Sequence, residues 1–354
     1  MREASKGIYF FSAAFILTLI ALLKLYSPFL MNILIAFLLF IATHSIFQVI
    51  LKKIKSTFLT SLLMTLLLLV LCFVPIFYVA INLASFAGNI DLASLQKFFT
   101  DMQVKILITG KDFLEYLPVA LQQQINDLLL SVNSINWAEI LKKALSVVAK
   151  ISTNSAYFLS DAVFIVIFLF FFYYYGNALG RYCLEIIPIE KQQIKTLYDE
   201  VSAVISVVFY SSIVSMVLQG VLFGILMAFY RYDSILLGVF YGFASLIPVV
   251  GGTLVWLPVV CYELYLGNVT NAIVIALYSI IIIATLADNG VKPFVIAFIN
   301  RILIETPVKI NEMLIFFAII AGLSSFGFWG IVLGPAITAL FIAMLRIYQN
   351  LYKH

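Results

Sequence analysis

The sequence predicts an all-α polytopic membrane protein with about eight transmembrane helices, some broken or re-entrant, and a small amphipathic helical insert. Three observations predict it. Hydrophobic residues make up 64% of the 354 and charged residues 11%, well beyond the roughly 45–50% apolar share of soluble domains. Several separate apolar runs reach the about 20 residues that a helix needs to cross a hydrocarbon core. Proline and paired glycines interrupt two of those runs, at Leu246-Ile247-Pro248-Val249-Val250-Gly251-Gly252 and at Gly334-Pro335.

The expected spans lie at 8–26, 29–51, 58–87, 156–176, 203–230, 235–266, 269–299 and 312–346. They divide the chain into three N-terminal transmembrane helices (1–88), an extracytoplasmic helical insert (89–155) and a transmembrane core (156–354). The first run follows Arg2 and Lys6 and ends at Leu25-Tyr26-Ser27-Pro28 without a small-residue cleavage site, so it is expected to stay on the chain. In the insert, charged and apolar residues alternate. Asn136-Trp137-Ala138-Glu139 resembles a capping box, and Ile140, Leu141, Ala144, Leu145 and Val148 follow at helical spacing. Gly110 and Pro118 are expected to punctuate this insert. A second amphipathic helix, 181–201, carries Glu185, Glu190, Lys191, Lys195, Asp199 and Glu200 and is expected on the cytoplasmic surface.

Lys and Arg flank the spans and orient them. Arg2, Lys6, Lys52, Lys53, Lys55, Arg181, Lys191, Lys195, Arg346 and Lys353 fall on one side, which places both termini in the cytoplasm. The basic residues form no stripe interleaved with aromatics, so nucleic acid is not an expected partner. Cys72, Cys183 and Cys261 share no metal-ligand spacing and read as packing residues, and no cofactor or metal is expected. Neither H-E-x-x-H nor a nucleophile elbow occurs, which argues against an enzyme.

A break at membrane depth survives only where it is packed in protein or lines a wet cavity, and half-helices of this kind build binding sites in secondary transporters. Pro248, Gly251, Gly252, Pro293, Gly330, Gly334 and Pro335 are therefore candidate breaks or gates, the last stretch reading as a helical hairpin or a kinked pair of half-helices. Ionisable and amide groups inside apolar runs are candidate path residues because lipid penalises them. Asp288 and Lys292 stand i and i+4 if helical, with Asn289 beside them, and Gln219 lies in the fifth span. Gly220-x-x-x-Gly224 and Gly238-x-x-x-Gly242 match the small-residue pattern of close helix packing, which also permits homo-oligomers.

Ile247-Pro248-Val249-Val250-Gly251, Asp288-Asn289 with Pro293, and Gly322 with Phe326-Gly327, Gly330 and Gly334-Pro335 together resemble the motifs of the autoinducer-2 exporter family of bacterial membrane transporters. The resemblance implies a multi-pass inner-membrane permease or exporter of a small polar solute, with sodium–proton antiport as an alternative. Thr306-Pro307 departs from the family pattern, in which a histidine precedes the proline. Asp288 then remains the titratable candidate. A membrane scaffold using the insert as a docking surface is the reading outside transport.

Overall fold

Where water is excluded, each backbone N–H and C=O must find a partner within the chain, so the apolar runs fold as helices. The computed structural model describes residues 2–89, 91–114, 155–186, 191–247, 250–283 and 312–352, with isolated positions between 118 and 146 and between 285 and 297. Among the described residues every regular element is helical: α1 (Arg2–Tyr26), α2 (Leu30–Ile54), α3 (Thr57–Leu68), α4 (Val74–Asn89), α5 (Leu92–Leu114), α6 (Ser155–Ile186), α7 (Lys191–Phe229), α8 (Ser234–Ala244), α9 (Thr253–Tyr265), α10 (Val269–Leu277), α11 (Glu312–Phe326) and α12 (Gly330–Tyr352). Leu30–Ile54, Thr57–Asn82, Leu159–Ile186 and Gln192–Phe229 are long and apolar enough to cross a bilayer. The chain is an all-α polytopic membrane protein. It divides into two compact units, one of Met1–Leu69, Phe158–Phe209 and Asn300–His354, the other of Val70–Tyr157 and Tyr210–Ile299.

In the first unit α2 buries Ile35, Ala36, Leu38 to Ala42 and Phe47, while α6 buries Ile165, Leu169 and Tyr173. Aromatic rings interlock the two helices. Phe37 meets Phe172 at 5.4 Å and Phe47 stacks on Tyr173 at 4.9 Å. Polar side chains fix the pairing: Asn32 Nδ2 donates to Asp161 Oδ1 at 3.0 Å, and the Thr43 and Tyr173 hydroxyls share a buried hydrogen bond. These pairs advance together along both helices, so α2 and α6 run parallel. Ser206 of α7 donates to the Ala42 carbonyl at 3.0 Å. α2 turns into α3 through Lys55, left-handed at φ 58°, and Ser56, which caps α3.

The last expected span, 312–346, folds as the hairpin form of its two readings: an antiparallel pair, α11 and α12, turned by Gly327–Trp329. Gly327 sits at φ +60°, a conformation that glycine adopts without cost. The break expected at Gly334-Pro335 is thus relocated: both residues lie within α12. Their role there is contact. A Cβ on Gly334 would stand 1.9 Å from the Ala318 carbonyl oxygen, and one on Gly322 would stand 2.0 Å from that of Gly330. Pro335 lacks an N–H for the Ile331 carbonyl, a loss that a helix so near its start absorbs by a small adjustment.

In the second unit the remainder of α7 joins α8, α9 and α10 around Phe223, Met227, Tyr241, Val260, Ile275 and Ile283. The expected span 235–266, marked in the sequence by a break at Pro248-Val249-Val250-Gly251-Gly252, is here two short antiparallel helices, α8 and α9, separated by a turn. Neither alone has the about 20 residues of a crossing helix. After α10 the backbone continues as a π-helical turn, Tyr278–Ile283, and another π-helical turn, Leu69–Phe73, joins α3 to α4. In the insert, Asp91 caps α5 by accepting from Ala93 N at 3.0 Å and Ser94 Oγ at 2.6 Å, bonds that hold its carboxyl below the usual range. Gly110, expected to punctuate the insert, lies inside α5. Asn136 does cap the helix that begins at Trp137, accepting from Glu139 N at 3.2 Å.

Gly322→Ala is expected to destabilise the protein by about 1–3 kcal/mol through overpacking. Gly180, in α6, has no heavy atom within 4 Å of a Cβ position, and Gly180→Ala should stabilise by about 0.5–1 kcal/mol. Thermal unfolding midpoints of the two variants in detergent, moving in opposite directions, check both.

Candidate functional site

Three features of the second unit converge on the α8–α9 hairpin: a glycine seam with α7, a glycine-built tip and a buried carboxylate at the base. The seam is made by the residues that the sequence marks for close packing. A Cβ on Gly220 would come within 2.8 Å of Gly238 O, one on Gly224 within 2.9 Å of Ser234 O, and one on Gly242 within 2.6 Å of Met216 O. Backbone therefore touches backbone along α7 and α8, as small-residue faces allow in membranes. The seam opens into an apolar groove of about 330 Å³ lined by Pro75, Val217, Val221, Ile235, Val239 and Phe243 among others. Gln219, next to Gly220 in the sequence of α7, is 8% exposed.

At the tip, α8 ends at Ala244 and the chain turns through Ile247 N to Ala244 O at 2.9 Å and Gly251 N to Ile247 O at 3.0 Å. Gly251 has no room for a side chain, since a Cβ would stand 1.8 Å from Ala244 O. Gly252 packs on the Tyr241 hydroxyl, 2.7 Å from where its Cβ would be. Tyr241 in turn stacks on Phe223 of α7 at 4.4 Å. Both glycines thus permit the chain to return on itself. Pro248, between these bonds, lies outside the described residues, as do Asp288, Asn289, Lys292 and Pro293. Gly330, Gly334 and Pro335 belong to the other unit and its α11–α12 pair.

The base of the hairpin holds a group that sequence reasoning missed. Glu263, near the end of α9, is 3% exposed. Its Oε1 accepts from the Tyr232 hydroxyl at 2.5 Å, and its Oε2 from Asn268 Nδ2 at 2.9 Å and Asn271 Nδ2 at 3.2 Å. The Asn268 amide also donates to Glu263 O at 2.9 Å. One carboxylate therefore ties the turn before α8, the end of α9 and the start of α10. None of the described Lys or Arg side chains pairs with it: Lys105 of α5 donates instead to the Leu264 carbonyl at 2.9 Å. Phe98 of α5 packs on Tyr265 at 4.8 Å, so α5 rests on this end of α9. In the sequence, Glu263 looks like a charge at the margin of a span. Only the pairing of residue 232 with 263 reveals a buried acceptor.

Helices long and apolar enough to cross a bilayer, with short paired helices among them, define a polytopic helical membrane protein. The family of AI-2E family transporters matches residues 10–350. The chain belongs to that family. A Helicobacter pylori (strain J99) protein named "Putative transport protein" is 38% identical over 347 residues, covering 98% of this chain and 97% of the relative. A relative of the same description from Aquifex aeolicus is 24% identical over 185 residues, 51% of this chain and 48% of the relative. A Mycobacterium tuberculosis transport-protein relative is 28% identical over 109 residues, 31% of this chain and 26% of the relative. The protein is a multi-pass membrane transporter.

Tyr232→Phe removes one donor from a charged acceptor and should cost about 1.5–3 kcal/mol. Glu263→Ala leaves Tyr232, Asn268 and Asn271 without their acceptor and should cost more. Denaturation midpoints of wild type and the two variants, measured in one detergent, check the order.

Proposed function

We propose that this transporter is a permease exporting a small polar solute, autoinducer-2-like in kind, across a bacterial inner membrane. Both termini face the cytoplasm and the insert at 89–155 lies outside it. Asp288, Asn289, Lys292 and Gln219 line the path in this reading, and the protein works as a homo-oligomer. Pro248, Gly251, Gly252 and Pro293, with Gly330, Gly334 and Pro335, form the breaks that let segments move.

The observation that best supports the reading is the α8–α9 hairpin. A stretch long enough to span instead folds back through a turn of glycines beside α7, where Gln219 is buried. Paired short helices of this type place irregular backbone at membrane depth, where transporters build solute sites. A buried amide in an apolar helix serves either packing or solute binding, and this reading takes the second.

Flux in proteoliposomes of purified protein tests the proposal. Asp288→Asn and Pro248→Ala should each lower solute export at least about tenfold, the loss expected from roughly 1.4 kcal/mol of barrier, with folded yield unchanged. Unaltered export in both variants would sink the assignment of the path. Cation-for-proton exchange in the same vesicles would replace solute export with antiport. A folded protein that moves neither, but loses function when the insert is deleted, would favour the scaffold reading.

A further inference from the structure

We propose that the apolar groove over the α7–α8 glycine seam holds one acyl chain of a membrane phospholipid, whose phosphate is met by Arg231 in the turn between the two helices. The groove and Arg231 belong to the second unit. The inference does not depend on which solute crosses the membrane or where it passes.

The walls fix the shape of the groove. Gly220, Gly224, Gly238 and Gly242 line it without side chains. Beside them stand Val217 and Val221 of α7 and Ile235 and Val239 of α8, all β-branched and stiff at χ1, so a change of rotamer does not close the gap. Among the lining residues only Ser234 carries a polar side chain, so the groove suits hydrocarbon and offers little to orient a polar solute.

Its course and size are those of a single chain in one leaflet. The seam sets Gly224 against Ser234, Gly220 against Gly238 and Met216 against Gly242, so α8 returns along α7 and carries the groove from the turn toward the membrane interior. From Ser234 to Phe243 it runs about 14 Å at about 1.5 Å per residue. Half of a hydrocarbon core of about 30 Å is about the same length. Spread over that length, the volume of about 330 Å³ gives a cross-section of about 24 Å². That admits one polymethylene chain and excludes a further helix, which is about 10 Å across.

The turn at the mouth of the groove supplies the ligand for a headgroup. α7 belongs to a helix long enough to cross a bilayer and ends at Phe229. Tyr230, Arg231 and Tyr232 follow, the aromatic and basic set that marks headgroup depth. Backbone bonds close the turn: Tyr230 N and Tyr232 N donate to Met227 O at 3.2 and 3.1 Å, and Arg231 N to Ala228 O at 3.2 Å. Arg231 stands there at φ 61°, a left-handed position that helix ends usually give to glycine. A basic residue serving only the end of α7 can sit a turn earlier in relaxed helical backbone. Arg231 is exposed, and a guanidinium fork matches a phosphate in shape and charge. The neighbouring acids are engaged inward: Asp233 Oδ1 accepts from Leu236 N at 3.0 Å, and Glu263 accepts from Tyr232, Asn268 and Asn271.

The test uses purified full-length protein in detergent, with dioleoylphosphatidylglycerol as the probe. Bound lipid is counted by native mass spectrometry, and unfolding midpoints are followed as lipid is added. Wild type should take up one tightly held lipid per chain and gain midpoint saturably. Dioleoylglycerol, which lacks the phosphate, should bind at least about tenfold more weakly, and glycerol phosphate, which lacks the chains, should leave the midpoint unchanged. Arg231→Gly should raise the midpoint in lipid-free detergent, because glycine adopts the left-handed backbone freely, yet lose the rise that lipid brings. Val221→Trp, at an exposed position on the rim, should roof the groove and lose that rise as well, while Arg181→Gln on α6 keeps it. A wild-type response to lipid in either Arg231→Gly or Val221→Trp overturns the proposal, as does a wild type without a saturable site. Equal loss in Arg181→Gln overturns it too, since any surface charge would then serve. Dissociation of an oligomer by Val221→Trp with lipid uptake unchanged would instead make the groove a contact between copies.

Discussion

Contact of helix backbone with helix backbone, without side chains between, is the constraint on which the rest of this structure depends. Lipid tails are as apolar as leucine, so burying leucine against leucine gives membrane helices little reason to associate. Close approach supplies the missing energy through dispersion and Cα–H···O contacts. Here it is concentrated at Gly220, Gly224, Gly238 and Gly242 in one unit and at Gly322, Gly330 and Gly334 in the other. Each seam admits one partner, one direction and one register, because a shift by a residue would bring side chains into the gap. The two hairpins are thereby specified by absence of side chains more than by what the remaining side chains attract.

With the helices held by their glycines, the few polar side chains are free to take particular tasks. Thr43 and Tyr173, Asn32 and Asp161, and Ser206 with the Ala42 carbonyl each join segments far apart in the chain. They set how α2 lies against its neighbours in an environment where an unmatched polar group is expensive. Glu263 differs in kind. Its carboxylate ties three segments through Tyr232, Asn268 and Asn271, whereas each of the pairs in the other unit joins two.

Much of the fold was legible because lipid imposes simple rules. The length of apolar runs identified the long helices, and the small-residue spacing of Gly220, Gly224, Gly238 and Gly242 identified a seam, though not its partner. The hairpins were harder. Residues 235–266 have the length and hydropathy of one span, and only the contact of Tyr241 with Gly252 and of Tyr232 with Glu263 shows that the run doubles back. The Gly334-Pro335 pair misled for a related reason. Proline and glycine read as a break, whereas the glycine there serves close contact and the turn falls at Gly327, whose left-handed backbone leaves no mark in hydropathy. Glu263 was invisible because burial depends on partners tens of residues away, while Gln219 could be singled out from its apolar neighbours alone.

The π-helical turns at Leu69–Phe73 and Tyr278–Ile283 carry an evolutionary consequence. Such a turn accommodates one residue more than an α-helical turn would, and everything beyond it is rotated by about 100° relative to an uninterrupted helix. Each therefore has the geometry that one added residue gives a helix. Along a lineage, losing that residue would present a different face of the following segment while leaving its hydrophobic length almost unchanged. Relatives that differ by one residue at either place can thus share an outline and yet expose different side chains to whatever passes between their helices.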